Sequence, residues 1–260
     1  MAHGLEAIDW SAPWLAHLRE KGEFAAQQTH ENKPLHETLN QFLTSPVRFV
    51  SQSSLPNGKA YEQFIFDTQQ CPTRDGLHDF FNALCWDQFP LTKARINQLQ
   101  TEQIALLGSV AQRGAVRDAL TVFDENGALL IAPPELWEAL LAMDWQRLFV
   151  TLRPLWRQAR LIPFGHALLE KLVHPRKPIT AHVYIAQFTI KNISIKAIST
   201  LSTAQFYSNL DVQLAIELSA DYLAGKPFAP LPVLGVPNWC SDNEDVNFYN
   251  DETVFRKPRS

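Results

Sequence analysis

RDALTVFDENGALLIAPP, residues 117–134, is the stretch on which the fold class turns. Leu120 and Val122 alternate with Thr121 and Phe123, which is the period of a half-buried strand. Asp124-Glu125-Asn126-Gly127 has the composition of a tight turn, and an apolar run follows it until two prolines stop it. The pattern predicts a β-hairpin with Gly127 at positive φ. On that reading Asp124 and Glu125 are turn formers before they are chemical groups.

Further strands are expected on either side. ITAHVYIAQFTI, 179–190, is long and β-branched and predicts a buried strand. QFIF, 63–66, is a shorter candidate that follows a loop, SQSSLPNGKAYEQ, marked by Pro56 and the Asn57-Gly58 turn signal. Helical patterns fill much of the remainder. Residues 5–45 look helical, most clearly in LHETLNQFL. PELWEALLAMDWQRLFVTLRPLWRQ supplies one or two amphipathic helices with Pro134 in the first turn. FGHALLEKLVHP is stopped by Pro175, and SNLDVQLAIELSADYLAGKP ends with Gly225 at a cap position.

Strands scattered among helices without a regular βαβ rhythm indicate an α+β protein. The expected architecture is mainly helical, with a small, largely antiparallel sheet. We read residues 1–260 as a single globular domain: a helical N-terminal part to residue 60, an α+β core over 61–225, and an irregular tail over 226–260. That tail is too rich in proline for regular structure, and its aromatics predict that it packs on the core.

With 260 residues, 46% of them hydrophobic and including 7 Trp and 16 Phe, the chain has ample material for a core. The formal net charge is −4 and the basic residues are scattered. Nucleic acid and anionic membrane surfaces are therefore not expected as partners, whereas a small-molecule ligand is compatible. MAHGLEAIDW has early acids and no apolar h-region, and no apolar run approaches the roughly 20 residues of a membrane span. A soluble, cytoplasmic protein is expected. Three cysteines, Cys71, Cys85 and Cys240, form no CxxC pair, which argues against a thiol-redox motif or a four-cysteine zinc site. GxGxxG, GxxxxGK[ST] and GxSxG are also absent, so no cofactor fingerprint is visible, and a divalent metal is the cofactor left open.

The chemistry-bearing residues gather in two helices. In PTRDGLHDFFNALCWDQFP, 72–90, Leu77, Phe80, Phe81 and Leu84 recur at helical spacing as a buried face, with Asp75 a candidate N-cap. Pro90 ends this helix, and TKARINQLQTEQIALLG begins a more polar one. At about 100° per residue, His78, Asp79, Asn82 and Trp86 share about a quarter of the circumference, away from Leu77, Phe80 and Leu84. A histidine beside a carboxylate and an amide can transfer protons, bind metal or orient a substrate; the bland alternative is a helix start complemented by Asp79. In FGHALLEKLVH, His166, Glu170 and His174 stand at i, i+4, i+8. Their span of about 12 Å prevents all three from sharing one ion on a straight helix. HExxH and ExxH are missing, so no metal ligand is assigned from either helix alone. Arg117 and Asp118 form a third candidate: Arg117 either holds an anionic group through its forked donors or pairs with Asp79 or Asp75.

PTRDGLHDFFNALCWDQFPLTKARIN, RDALTVFDENG, FGHALLEKL and PLPVLGVPNW…FYNDETVFR, in this order from about residue 60 to the end, resemble the bacterial domain-of-unknown-function family 3025. The resemblance implies no catalytic residue, because the family has no established activity. Its pattern includes the positions held here by Arg74, His78, Asp79, Asn82, Arg117, Asp118, His166, Tyr249, Asp251 and Arg256. Cys240 stands after Trp239 where a bulkier aromatic or apolar residue is expected.

Two functions from different classes follow. The first is an enzyme acting on a small polar or anionic molecule by hydrolysis or proton transfer. His78 or His166 would be the acid/base, Asp79 or Glu170 would orient it, and Arg74, Asn82, Arg117 and Asp118 would hold the substrate. It requires both helix starts to face one pocket. The second is a binding or scaffold protein whose polar residues, with Asp251 and Arg256, clamp the C-terminal tail. A metal shared by His78, His166 and a carboxylate from separate helices is a third arrangement.

Overall fold

The computed structural model describes residues 2–30, 32–107, 114–186 and 202–257. It is an α+β structure organised around a four-stranded sheet of order β4-β3-β5-β6. Strand β3 (Gly127–Ile131) runs antiparallel to β4 (Arg160–Pro163) and parallel to β5 (Thr180–Tyr184). Strand β5 is antiparallel in turn to β6 (Phe228–Pro232). A separate parallel pair joins β1 (Arg48–Ser51) to β2 (Gln70–Thr73).

All five residues of β3 are buried, and they face two ways. Ala128 and Leu130 join Ala181 and Val183 of β5 in an apolar cluster that also holds Phe80, Phe81 and Phe149. Leu129 and Ile131 join Tyr184 in a second cluster with Phe89, Phe123, Phe164 and Phe206. Period-two alternation thus gives each face of the sheet its own core.

The hairpin expected at 117–134 does not form. Residues Ala115–Asn126 are a helix, α6, that runs directly into β3. Val116, Ala119, Leu120 and Phe123 stand at i, i+3, i+4 and i+7, and Ala119, Leu120 and Phe123 are buried along that face. This helical period outweighs an alternation only four residues long. Gly127 is also used differently from the expectation. Its φ is −71°, and a Cβ there would sit 2.3 Å from the Phe123 carbonyl oxygen. Close approach, rather than positive φ, requires glycine.

Two smaller expectations are corrected as well. QFIF lies inside helix α3 (Tyr61–Thr68), which buries Phe64 and Ile65. Asp75 does not cap the helix of the 72–90 stretch, α4 (Leu77–Gln88); the cap position is Gly76, and the Asp75 carboxylate accepts from the Leu35 backbone N–H at 2.9 Å. At φ 151° and ψ 171°, Gly76 occupies backbone space open essentially to glycine alone, and this sharp bend starts α4.

Besides short 3₁₀ and π turns, the remaining α-helices among the described residues are α1 (Arg19–Gln27), α2 (Leu35–Phe42), α5 (Pro90–Leu107), α7 (Pro134–Leu141), α8 (His166–Lys171), α9 (Thr203–Glu217) and α10 (Ala220–Ala224). The 208–227 stretch is therefore split at Leu218-Ser219, with Gly225 capping α10. Of the strand expected over 179–190, residues 187–190 lie outside the described residues, as does Gly108 at the end of the α5 stretch.

The proline-rich tail packs on the core, and its first residues also supply β6. Beyond them it is pinned by side chains: Arg153 donates to the Asn243 carbonyl and to the Tyr249 hydroxyl, both at 3.1 Å. Trp145 Nε1 donates to the Arg256 carbonyl at 2.7 Å, and Lys177 pairs with Asp251 at 3.1 Å. Among the described residues no helix is long and apolar enough to cross a membrane.

Candidate functional site

Two chain junctions build the site. Helix α8 starts where β4 ends, and there the backbone N–H groups of Phe164 and Gly165 both donate to the Gly127 carbonyl, at 2.9 and 2.8 Å. A Cβ on Gly165 would lie 2.4 Å from the Glu125 carbonyl oxygen and 2.5 Å from the Asn126 nitrogen. Absence of a side chain at Gly165 therefore lets the start of α8 press against the end of α6. His166, the next residue, is consequently set beside Asp124 and Glu125. Helix α4, entered through Gly76, brings His78 from the other side, and the His78 and His166 ring centroids are 4.5 Å apart in an edge-to-face arrangement.

These groups line a cavity of about 390 Å³ that opens between α3, α4, α5, α6 and α8. Its walls include Tyr61, Arg74, His78, Asp79, Asn82, Trp86, Lys93, Asp124, Glu125 and His166. The polar arc of α4 thus faces an internal hollow. Asp79, Asn82 and Trp86 are all buried, whereas the His78 side chain keeps 32% of its surface exposed at the opening.

Each polar group has a defined environment. His78 Nδ1 lies 2.9 Å from Glu170 Oε2, so the carboxylate from α8 orients the histidine of α4. His166, only 4% exposed, has Nε2 at 3.5 Å from Glu125 Oε2 and Nδ1 at 3.9 Å from Asp124 Oδ2; that Nδ1 is buried without a hydrogen-bond partner among the described residues. Lys93, also buried, contacts the Asp124 carboxylate, donates to Asn82 Oδ1 at 2.9 Å and lies 5.5 Å from the Trp86 ring centre. Asn82 Nδ2 reaches the Tyr61 hydroxyl at 3.4 Å, and that hydroxyl is 3.2 Å from Cys71 Sγ.

Electrostatics follow from these contacts. Burial alone would raise the Asp124 carboxyl, but Lys93, with His166 and His78 nearby, more than offsets it and leaves the group below its ordinary value. Contact with His166 likewise holds Glu125 low against its partial burial. Burial pushes the Tyr61 hydroxyl well up, and it drives Cys71 to about 11 and Cys85 to about 12. The two thiols have little thiolate character, as expected of small apolar fillers.

Among the residues nominated from sequence, His78, Asp79, Asn82, Arg74 and His166 share the cavity, with Glu170 supporting His78 from behind. Three assignments change. Asp79 does not orient a histidine; it accepts from the Arg74 backbone N–H at 2.5 Å and from the Arg74 guanidinium at 3.1 and 3.2 Å. Glu170 serves His78 rather than His166 on its own helix. Arg117 and Asp118 stand on the first turn of α6, about 10–12 Å along the helix from Glu125, and are not among the cavity walls. Neither Asp79 nor Asp75, the partners considered for Arg117, pairs with it: Asp79 holds Arg74 and Asp75 caps α2. His174 is exposed.

Sequence reasoning missed Asp124, Glu125 and Lys93. The first two became visible once 115–126 was helical, because the last turn of α6 meets the Gly165 junction. Lys93 gave no local signal, since nothing in TKARIN separates a buried lysine from an exposed one.

No curated protein and no solved structure matches the chain. A family model described as a protein of unknown function, DUF3025, matches residues 47–259, a span that includes every wall of the cavity as well as Glu170. The chain is therefore a member of the DUF3025 family.

Proposed function

We propose that the cavity is the active site of an enzyme that performs acid–base chemistry on a small polar or anionic molecule, by hydrolysis or proton transfer. The observation that carries this reading is the meeting of His78 and His166, 88 positions apart, with ring centroids 4.5 Å apart at the wall of one hollow. Imidazole is the side chain whose charge changes closest to neutral pH, and two of them, each beside a carboxylate, can supply an acid and a base. Arg74 reaches the cavity with a side chain 64% exposed, so it can meet an anionic group while Asp79 fixes its fork. Asn82 acts through Lys93, which it holds against Asp124. The volume suits a small molecule.

The same reading places the protein in the bacterial cytoplasm, acting on a free small molecule rather than on nucleic acid or a membrane. The scattered basic residues and net charge of −4 favour this. A scaffold in which the nominated residues clamp the tail is less well supported. Arg153, Trp145 and Lys177 fasten the tail, and none of them lines the cavity.

A thermal-shift screen of small carboxylates, phosphates, and their esters and amides tests the proposal. The expected result is a ligand that raises the melting temperature of the wild-type protein but not of His78→Ala, with the unliganded variant melting within a few degrees of wild type. A His78→Ala variant that loses several kcal/mol of stability, together with a wild-type protein that recognises no compound, would instead identify a structural clamp.

A further inference from the structure

We propose that His78, His166 and Glu125 bind one divalent first-row metal ion at the wall of this cavity. Among the described residues, these three offer ligand atoms that all lie within 4.8 Å of one another, and they come from three different helices. Two imidazoles and one carboxylate form a donor set used at open, catalytic metal positions, with the remaining coordination directed at a cavity.

The separation between His166 and Glu125 favours a shared ion over a direct bond. Nε2 and Oε2 are 3.5 Å apart, at the outer limit of a hydrogen bond. Bonds of about 2.0–2.1 Å at the tetrahedral angle would place two ligand atoms about 3.3–3.5 Å apart. This pair already has the spacing of two corners of a coordination shell. The His78 nitrogen has farther to come, and its partly exposed side chain can rotate.

His78 has the outer support that metal-bound imidazoles use, and His166 has a carboxylate close to the position that would supply it. Glu170 accepts from His78 Nδ1, leaving Nε2 for the ion. Asp124 Oδ2 stands 3.9 Å from His166 Nδ1, where a small inward movement of the ring completes the same arrangement. Without an ion, His166 is an almost fully buried imidazole whose Nδ1 has no partner among the described residues, which is a costly arrangement. Lys93 lines the same cavity, and Asp124 neutralises it. Arg74 is neutralised likewise by Asp79, so the Glu125 and Glu170 carboxylates remain to balance a dication. A water on the open position would be a stronger acid than bulk water, and so a source of hydroxide for hydrolysis.

The test is calorimetric titration of the chelator-stripped full chain with zinc chloride, with cobalt(II) absorption reporting nitrogen ligation. We expect one ion per chain with a Kd below about 1 μM. His78→Ala and Glu125→Gln should each weaken binding by at least about 100-fold, and Glu170→Gln by about 10–100-fold, whereas Arg117→Ala should bind like wild type. His166→Ala is buried and risks misfolding, so His78→Ala and Glu125→Gln, checked for an intact melting transition, are the deciding variants. No saturable binding up to about 100 μM, or binding that survives both variants, would overturn the proposal. The inference shares its cavity with the acid–base reading yet fails separately from it. A chain that binds no metal but loses its small-molecule ligand on His78→Ala would end the metal site and leave the acid–base reading standing.

Discussion

His78 Nδ1 and Glu170 Oε2 lie 2.9 Å apart although the residues are separated by 92 positions. An ionised carboxylate only accepts hydrogen bonds, so the proton of this pair sits on Nδ1 and the Nε2 lone pair is left for the cavity. Both side chains are about a third exposed, at 32% and 40%, and such a pair contributes under about 1 kcal/mol to stability. Glu170→Ala should therefore shift the melting temperature by no more than about 3 °C. In ¹⁵N-detected NMR the His78 Nδ1–H tautomer should give way to a mixture. A tautomer that persists unchanged in the variant would show that Glu170 does not set it.

Lys93 presents the opposite case. Its side chain is 4% exposed and its ammonium is shared by Asp124, Asn82 and the face of Trp86. Lys93→Met keeps the volume but leaves the Asp124 carboxylate uncompensated in a mostly buried place, a change that costs about 3–5 kcal/mol. Adding Asp124→Asn removes the orphaned charge and should recover at least about half of that loss. Urea unfolding of wild type, both single variants and the double variant measures the coupling. Strictly additive losses would mean that the two groups do not interact energetically.

Gly165 fixes the distance between the two halves of the site. A Cβ would approach the backbone of Glu125 and Asn126 to 2.4–2.5 Å, and backbone cannot swing aside as a flexible side chain can. Gly165→Ala should cost about 1–3 kcal/mol and push the start of α8 away from the end of α6. The chemical shifts of His166 and Glu125 should move with it, while those of the tail clamp at Arg153 and Tyr249 stay in place. A variant as stable as wild type, with His166 unshifted, would show that the junction has slack.

Legibility of this protein in its sequence depended on how local each feature is. The apolar spacing in α4 and α8 reports burial within one helix, and those helices form within the stretches so marked. Of the 134–158 stretch, by contrast, only Pro134–Leu141 is α-helical, and the remainder forms short π and 3₁₀ turns. Residues 117–126 carry two periods at once, and the turn composition of Asp124 to Gly127 tipped the reading toward a hairpin. The longer helical period of Val116, Ala119, Leu120 and Phe123 prevails, and the burial of Leu120 and Phe123 in the core reinforces it. The site was half legible. His78 and His166 stood out as polar groups on amphipathic helices, whereas the partner of each depended on a long-range contact. The tail shows the limit from another side: its prolines exclude regular helix, but they are compatible with the edge strand β6.

His17 gives the molecule a pH response away from the cavity. Its ring packs near Phe89 and Tyr207, with centroids 6.3 and 5.9 Å away, and Nε2 is buried without a partner among the described residues although the edge of the side chain reaches the surface. Burial lowers its pKa from 6.5 to about 4, against a smaller opposing contribution from the Pro163 backbone. The unfolded chain therefore takes up a proton at higher pH than the folded one. The neutral ring contributes its full stability above 6.5, and this is lost as pH falls toward 4. The depression corresponds to about 3 kcal/mol, of which between about pH 7.5 and pH 4.5 most should be expressed. His17→Phe keeps a ring and removes the titration, so its urea midpoint should fall by less over that interval than the wild-type midpoint does. Comparing the two proteins cancels the other carboxylates and histidines, which titrate in both. Parallel pH profiles would place the His17 proton uptake outside this window and refute a buried neutral imidazole.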